Sequence, residues 1–495
     1  MDQRFPSKAR DWLKRPTCTG FVIGLYSVLF YLSNNLTLVH STMNLIFLLG
    51  LFLLLSTSIS ILGGRILSAS VSAPGAEKAL TLLLFALLFV LLAAPIRELS
   101  LPMQLLLIAF ALVYTLVLQL PAYYLTVGLL FMSAAAASAM GLEIYKMHAK
   151  SKELAAEVPP EWFQPEIRRA HSVYLIQPDS YVNTADIGRG YYQMTNFGMD
   201  DWLKERGFTV YPNIRSNYAD TLSSNISIFE MRHHYYERHK LSGEVYFGRR
   251  IIAGDNFVVN FFEKNGYETY LLNFANYLTF DGCFYSYCHT MPKTVSLFGA
   301  EPFIAPDDVD RWANSVNSTL ERFPKDRRFV FIEHSMSPAH ISYTQGESRG
   351  REKERRRYES KLREANRWLQ AVIEEIQRTD PDPLIILMAD HGAYVGYDYV
   401  QQATTLTEDP DLIRSSFSIY LAIRWPTTYD GRFDDKFATP VNVFRYIFSF
   451  LTDTDSFLSS REEDVSYLNI TEPKPGIYAA IDESNRVVLK PRSGL

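Results

Sequence analysis

Apolar and polar positions are spread unevenly along the 495-residue chain, and most of the long apolar runs lie before residue 150. Thr19 to Leu38, Leu45 to Leu62 and Ala79 to Ala94 are each close to the ~20 residues that carry a helix across a hydrocarbon core. Met103 to Tyr145 is about twice that length, with Pro121 near its middle, so it divides into two helices joined by a tight turn. Five spans are therefore expected. A cleaved leader does not account for the first run, because four more follow and no A-x-A site is evident.

After about residue 170 the pattern changes to strands alternating with helices. Val173 to Gln177, Gly207 to Tyr211, Tyr267 to Leu272, Phe329 to Glu333, Leu384 to Ala389 and Ser418 to Ile423 are short apolar runs of strand length. Met199 to Arg206 reads as helix. Between Arg349 and Asp380, the residues Tyr358, Leu362, Ala365, Leu369, Val372 and Ile376 recur at spacings of four and three, the stripe of a long amphipathic helix. The tail "GIYAAIDESNRVVLK" reads as a hairpin turning at Glu483 to Asn485. Alternation of this kind predicts a mostly parallel sheet covered on both faces. The expected organisation is a five-helix membrane domain over 1–148, a Pro-rich connector with an interfacial helix over 149–172, and an α/β domain over 173–495.

Charge orients this arrangement. Arg4, Lys8, Arg10, Lys14, Arg15, Arg65 and Lys78 fall on the side of the N-terminus, against Arg97, Lys146, Lys150 and Lys152 on the other. The bias places the N-terminus in the cytoplasm, so an odd number of spans puts the α/β domain outside, in the periplasm of a cell whose inner membrane holds the chain. A net charge of -5 without a basic, aromatic-laced stripe argues against nucleic acid as a partner. The charge-dense "RGREKERRR" reads most simply as a solvated helix face that anionic lipid could also use. Cys283 and Cys288, in "CFYSYC", are read as an extracytoplasmic disulfide or as two buried thiols.

Chemistry collects where strands end, the edge at which open α/β sheets bind ligands. Asp179 follows the first strand in "VYLIQPDSY", His334 and His340 follow another in "FIEHSMSPAHISY", and Asp390 and His391 follow a third in "LIILMADHGAY". Clustered polar groups of this kind need partners, and a divalent cation would satisfy two carboxylates and an imidazole. A helix starting near Thr221 in "SNYADTLSSNISIF" would place a hydroxyl at a helix N-terminus, where a phosphate is favoured. The alternative is that Asp220 or Thr221 only caps the helix.

Together, "LIQPDSY", "SNYADTLSSNIS", "SPAHISY", "MADHGAY", "FSIYLAIRWP" and "TPVNVFRYIFSFL" resemble the alkaline phosphatase and sulfatase superfamily. The similar branch is that of membrane-anchored phosphoethanolamine and phosphoglycerol transferases, including the lipoteichoic-acid synthases. The resemblance implies one divalent metal, Zn or Mn, held by Asp179, Thr221, Asp390 and His391. It implies Thr221 as a nucleophile that becomes phosphorylated, and a substrate-binding His, with His340 the first match and His334 the second. It also implies a phospholipid donor and a glycan or lipid acceptor. No C/S-x-P/A-x-R segment is present, so a formylglycine sulfatase is not expected, and Gly243 to Pro306 has no counterpart in the resemblance. A hydrolase of the same superfamily and a non-catalytic envelope assembly protein remain the alternatives.

Overall fold

A computed structural model gives the structure, which describes residues 13, 15–35, 42–93, 101–118, 121–156, 158–235, 245, 247–274, 276–279, 282–290, 309–323 and 327–492. The chain divides into two compact units, the main break falling between Ala156 and Glu157.

The first unit is helical. Pro16–Asn35, Leu45–Ser70, Gly75–Leu92 and Ala122–Lys146 are long and apolar enough to cross a membrane, and Leu105–Val117 is a shorter apolar helix. The apolar stretch divides at Pro121, after which one helix runs from Ala122 to Ala156, through the first part of the expected connector. Small residues let the first two spans approach closely: a Cβ on Gly24 would lie 2.3 Å from the Phe52 carbonyl oxygen. Thr19 and Thr126 join their hydroxyls at 2.8 Å.

The second unit is built on a seven-stranded sheet. In chain order the strands are β1 (Val173–Asp179), β2 (Phe208–Tyr211), β3 (Glu268–Asn273), β4 (Tyr287–Thr290), β5 (Arg328–Pro338), β6 (Leu384–Met388) and β7 (Leu421–Arg424). Their spatial order is β2-β7-β6-β1-β5-β3-β4, and the pairings of β7 with β2 and β6 are antiparallel while the others are parallel. A smaller antiparallel sheet joins β8 (Ser466–Ile470), β9 (Gly476–Ile481) and β10 (Val487–Pro491), the last two forming the expected tail hairpin.

Strands β1 and β6 are buried along their whole lengths, which is why they read as unbroken apolar runs. The helices that matter to the site are α1 (Thr221–Glu230), α2 (Phe257–Lys264) and α3 (Arg351–Thr379). All six residues of the apolar stripe on α3 are buried. The stretch from residue 243 onward that the motif resemblance leaves unmatched is partly integral to this core, because it supplies α2 and β3. Residues 291–308 lie outside the described ones.

Candidate metal and nucleophile site

Register brings the carboxylates together. In the β1–β6 pairing Val173 faces Leu384 and Ile176 faces Leu387, so three residues further along each strand Asp179 and Asp390 arrive at the same level. The carboxylate oxygens of Asp179 and Asp390 and a ring nitrogen of His391 lie within 4.8 Å of one another, and all three residues are buried. His391 Nε2 is 3.6 Å from Asp179 Oδ1 and 3.5 Å from Asp390 Oδ2.

Thr221 enters from the side, as the first residue of α1. The cap of that helix is Asp220, whose carboxylate accepts the Ser223 backbone N–H at 2.8 Å. The Thr221 hydroxyl is thus spared capping duty, and its Oγ1 lies 3.0 Å from His391 Nε2. A buried amide pair holds α1 to β1: Gln177 Nε2 donates to Asn225 Oδ1 at 2.8 Å and Asn225 Nδ2 donates to Gln177 Oε1 at 2.9 Å. His234 Nε2 donates to the Ser223 carbonyl at 2.8 Å and braces the same first turn.

Two residues that sequence reasoning passed over organise the cluster. Ser180 has a left-handed backbone, φ 57°. Its hydroxyl donates to Asp179 Oδ1 at 2.7 Å and lies 3.2 Å from His391 Nδ1, while its N–H donates to Asp390 Oδ1 at 3.1 Å. Gly392 is the second: its carbonyl accepts from His391 Nδ1 at 2.8 Å, which fixes the proton there and leaves Nε2 facing Thr221. The only sequence signals were a hydroxyl after the strand-end acid and the Gly of "DHG".

Electrostatics follow from burial. Loss of solvent, with the nearby Asp390 charge, pushes the Asp179 carboxyl up to about 7. Burial works against the charged form of His391, but the two carboxylates outweigh it and move the imidazole up. Two acids and a base confined in this way form a site short of positive charge.

The two middle histidines part company. Between Pro178 and Asp179 the β1–β5 register shifts, so that Pro178 faces His334 but Asp179 faces Pro338. His334 lies in the core, stacked 4.4 Å from Phe274 and against Trp312 and Trp368, and burial lowers its pKa to about 3. It is not brought to the site. His340 is: Ala339, at φ 61°, turns the chain, its N–H bonds the Asp179 carbonyl, and the His340 ring stands 6.2 Å from that of His391. Burial holds His340 neutral, with a pKa lowered to about 4. Cys283 and Cys288 form a disulfide.

No family model matches the sequence, and no curated protein matches it. Solved structures do. One is the C-terminal periplasmic domain of EptC from Escherichia coli in complex with Zn, 12% identical, TM-score 0.44, covering 65% of this chain and 96% of that one. Another is the integral membrane lipooligosaccharide phosphoethanolamine transferase A from Neisseria meningitidis, 12% identical, TM-score 0.39, covering 88% and 95%. A third is a sulfatase from Bacteroides thetaiotaomicron, 14% identical, TM-score 0.40, covering 65% and 88%.

Proposed function

We propose that the chain is a metal-dependent transferase of the alkaline phosphatase and sulfatase superfamily, in its membrane-anchored branch. It would move a phosphoryl-linked head group, phosphoethanolamine or phosphoglycerol, from a membrane phospholipid to an envelope glycan or lipid. The observation that carries this reading is the meeting of Thr221 Oγ1 with His391 Nε2 at 3.0 Å, beside two buried carboxylates. The donor set fits a divalent cation: burial, with the Asp390 charge beside it, pushes the Asp179 carboxyl up to about 7. Asp179, Asp390 and His391, with the Thr221 oxygen, would hold it. When bound, a Zn or Mn ion would supply positive charge against the transferring group and make the Thr221 hydroxyl easier to ionise.

The side chains divide the remaining work. Thr221 Oγ would attack the donor phosphorus while its proton passes to water, the bond from phosphorus to the lipid oxygen would break, and the lipid oxygen would take a proton from water and leave as an alcohol. An acceptor hydroxyl then attacks the phosphothreonine and frees the Thr221 oxygen. His340, held neutral by burial, would accept the acceptor's proton. Ser180 and Gly392 hold the tautomer and the ligand geometry throughout. Five spans with the N-terminus inside would put this chemistry outside the cytoplasm, beside its lipid donor.

The test is mass spectrometry of the purified full chain after incubation with phosphatidylethanolamine or phosphatidylglycerol, with elemental analysis of the same sample. A phospho-adduct on Thr221 and one divalent ion per chain are expected. Thr221→Ala should lose the adduct and about a thousandfold in transfer while Asp179, Asp390 and His391 keep the metal. Full transfer by that variant would end the covalent reading.

A further inference from the structure

The helical unit has a cavity of its own, apart from the strand-end cluster. It measures about 580 Å³ and lies where Pro16, Gly64, Ser68, Glu77, Tyr123 and Tyr124 come together. These residues belong to the start of the first span, the end of the second, the start of the third and the start of the last. The cavity therefore sits at one end of the bundle, the end that the charge bias assigns to the cytoplasm. Close packing builds its floor: Ser60 Oγ donates to the Pro16 carbonyl at 2.5 Å, and a Cβ on Gly64 would touch Pro16 Cγ at 3.4 Å.

Charges of both signs stand around it. Glu77 is in the wall and makes no ion pair among the described residues. Nor do Arg15, Arg65 and Lys78, each one position from a lining residue. Three helices begin here, at Pro16, Ala73 and Ala122, and their first N–H groups add partial positive charge. An acid and three cations left unpaired around one cavity fit a guest that itself carries one charge of each sign.

We infer that the cavity binds a phospholipid whose head group joins a phosphate to an ammonium. Glu77 takes the ammonium, while Arg15, Arg65 and Lys78 take the phosphate with help from the helix starts. Tyr123 and Tyr124, with ring centroids 5.0 Å apart, stand at the level of the head group, where amphipathic rings settle. Leu62 and Ile66, two positions either side of Gly64, are more than half exposed and offer an apolar wall to the acyl chains. Five alternating spans would put this cavity in the leaflet away from the α/β unit, so the lipid is a resident and not the donor. The assignment does not rest on the transferase reading.

Lipid binding to the full-length protein tests it. The delipidated chain in detergent is titrated by native mass spectrometry with phosphatidylethanolamine, phosphatidylglycerol and glycerophosphoethanolamine, which has the head group without the chains. Phosphatidylethanolamine should bind about tenfold more tightly than phosphatidylglycerol and about a hundredfold more tightly than the chainless head group. Glu77→Gln, at an exposed position that folding tolerates, should bring phosphatidylethanolamine down to the level of phosphatidylglycerol. Arg15→Gln with Arg65→Gln should weaken both lipids. A phosphatidylethanolamine with a photoreactive acyl chain should mark the peptides that carry Ser68 or Tyr123. Equal affinity for the two lipids, or no change in Glu77→Gln, means an annular lipid only and overturns the site. Tight binding of glycerophosphoethanolamine also overturns it, because the guest would then be soluble. Labelling confined to the α/β unit overturns it as well, since the bound lipid would be the donor. A chain that holds the lipid in this way yet never phosphorylates Thr221 retires the transferase reading and leaves the lipid site standing.

Discussion

Gly392 shows how little room the site leaves. A Cβ there would lie 2.1 Å from the Ser415 carbonyl oxygen and 2.7 Å from the Phe417 nitrogen, both backbone atoms that cannot swing aside. Gly392→Ala should therefore destabilise the α/β unit by about 3 kcal/mol, read as a lower urea midpoint, with metal affinity falling as His391 is displaced. The acids give a second expectation. A cation binds the ionised form of Asp179, and burial holds that carboxyl near 7 in the free site. His391 must shed a proton too, and its imidazole is moved up by the two carboxylates, so metal affinity should fall as the pH drops through 7 by more than about tenfold per pH unit, measured by competition with a chelating dye. A flat profile across that range would show that the acids are not ligands. At this scale the sequence displays Asp179, Asp390 and Thr221 because each stands where a regular element ends or begins. It hides Ser180, whose role depends on a left-handed backbone, and it cannot separate His334 from His340, because a register shift decides between them.

Elements hold these residues at working distance. The Gln177–Asn225 amide pair is a buried side-chain link between β1 and α1, two residues before Asp179 and four after Thr221. Asn225→Leu strands the Gln177 amide in the core, at a cost of about 1–3 kcal/mol. It should also slow phosphorylation of Thr221 more than it weakens metal binding, which separates a positioning effect from loss of the ligands. The double change Gln177→Leu with Asn225→Leu should recover stability without recovering the rate. Legibility here follows periodicity. The α3 stripe and the buried runs of β1 and β6 stand out because their patterns are long or unbroken. Strand β4, "YCHT", escapes notice because four mixed residues carry no period.

For the whole molecule, charge bias and span count make a joint claim. Among the described residues four helices have the length and apolarity to cross a membrane, and Leu105–Val117 is shorter. If it crosses as well, the two chain ends lie on opposite sides. Protease added to spheroplasts should then digest the α/β unit and spare a tag on the N-terminus; protection of both ends, or digestion of both, would mean an even count. Composition could bring the reading this far because seven basic residues against four is a whole-chain property. The length of the helix that begins at Ala122 was not legible, because its polar continuation to Ala156 has the composition of a linker.

The Cys283–Cys288 bridge has a bearing on how the protein behaves when handled. Cys288 lies within β4, the last strand in the order of the main sheet, and faces Leu271 of β3. Closing a six-residue loop, Cys283 to Cys288, onto so short a strand keeps it in place beside β3. In a reducing compartment that restraint is gone, and a loosened β4 would bare a row of unpaired amides able to template pairing between copies. Chains made in the cytosol, or treated with dithiothreitol after purification, should clump while the Asp179, Asp390 and His391 cluster is still intact. The failure would be one of solubility long before it is one of catalysis.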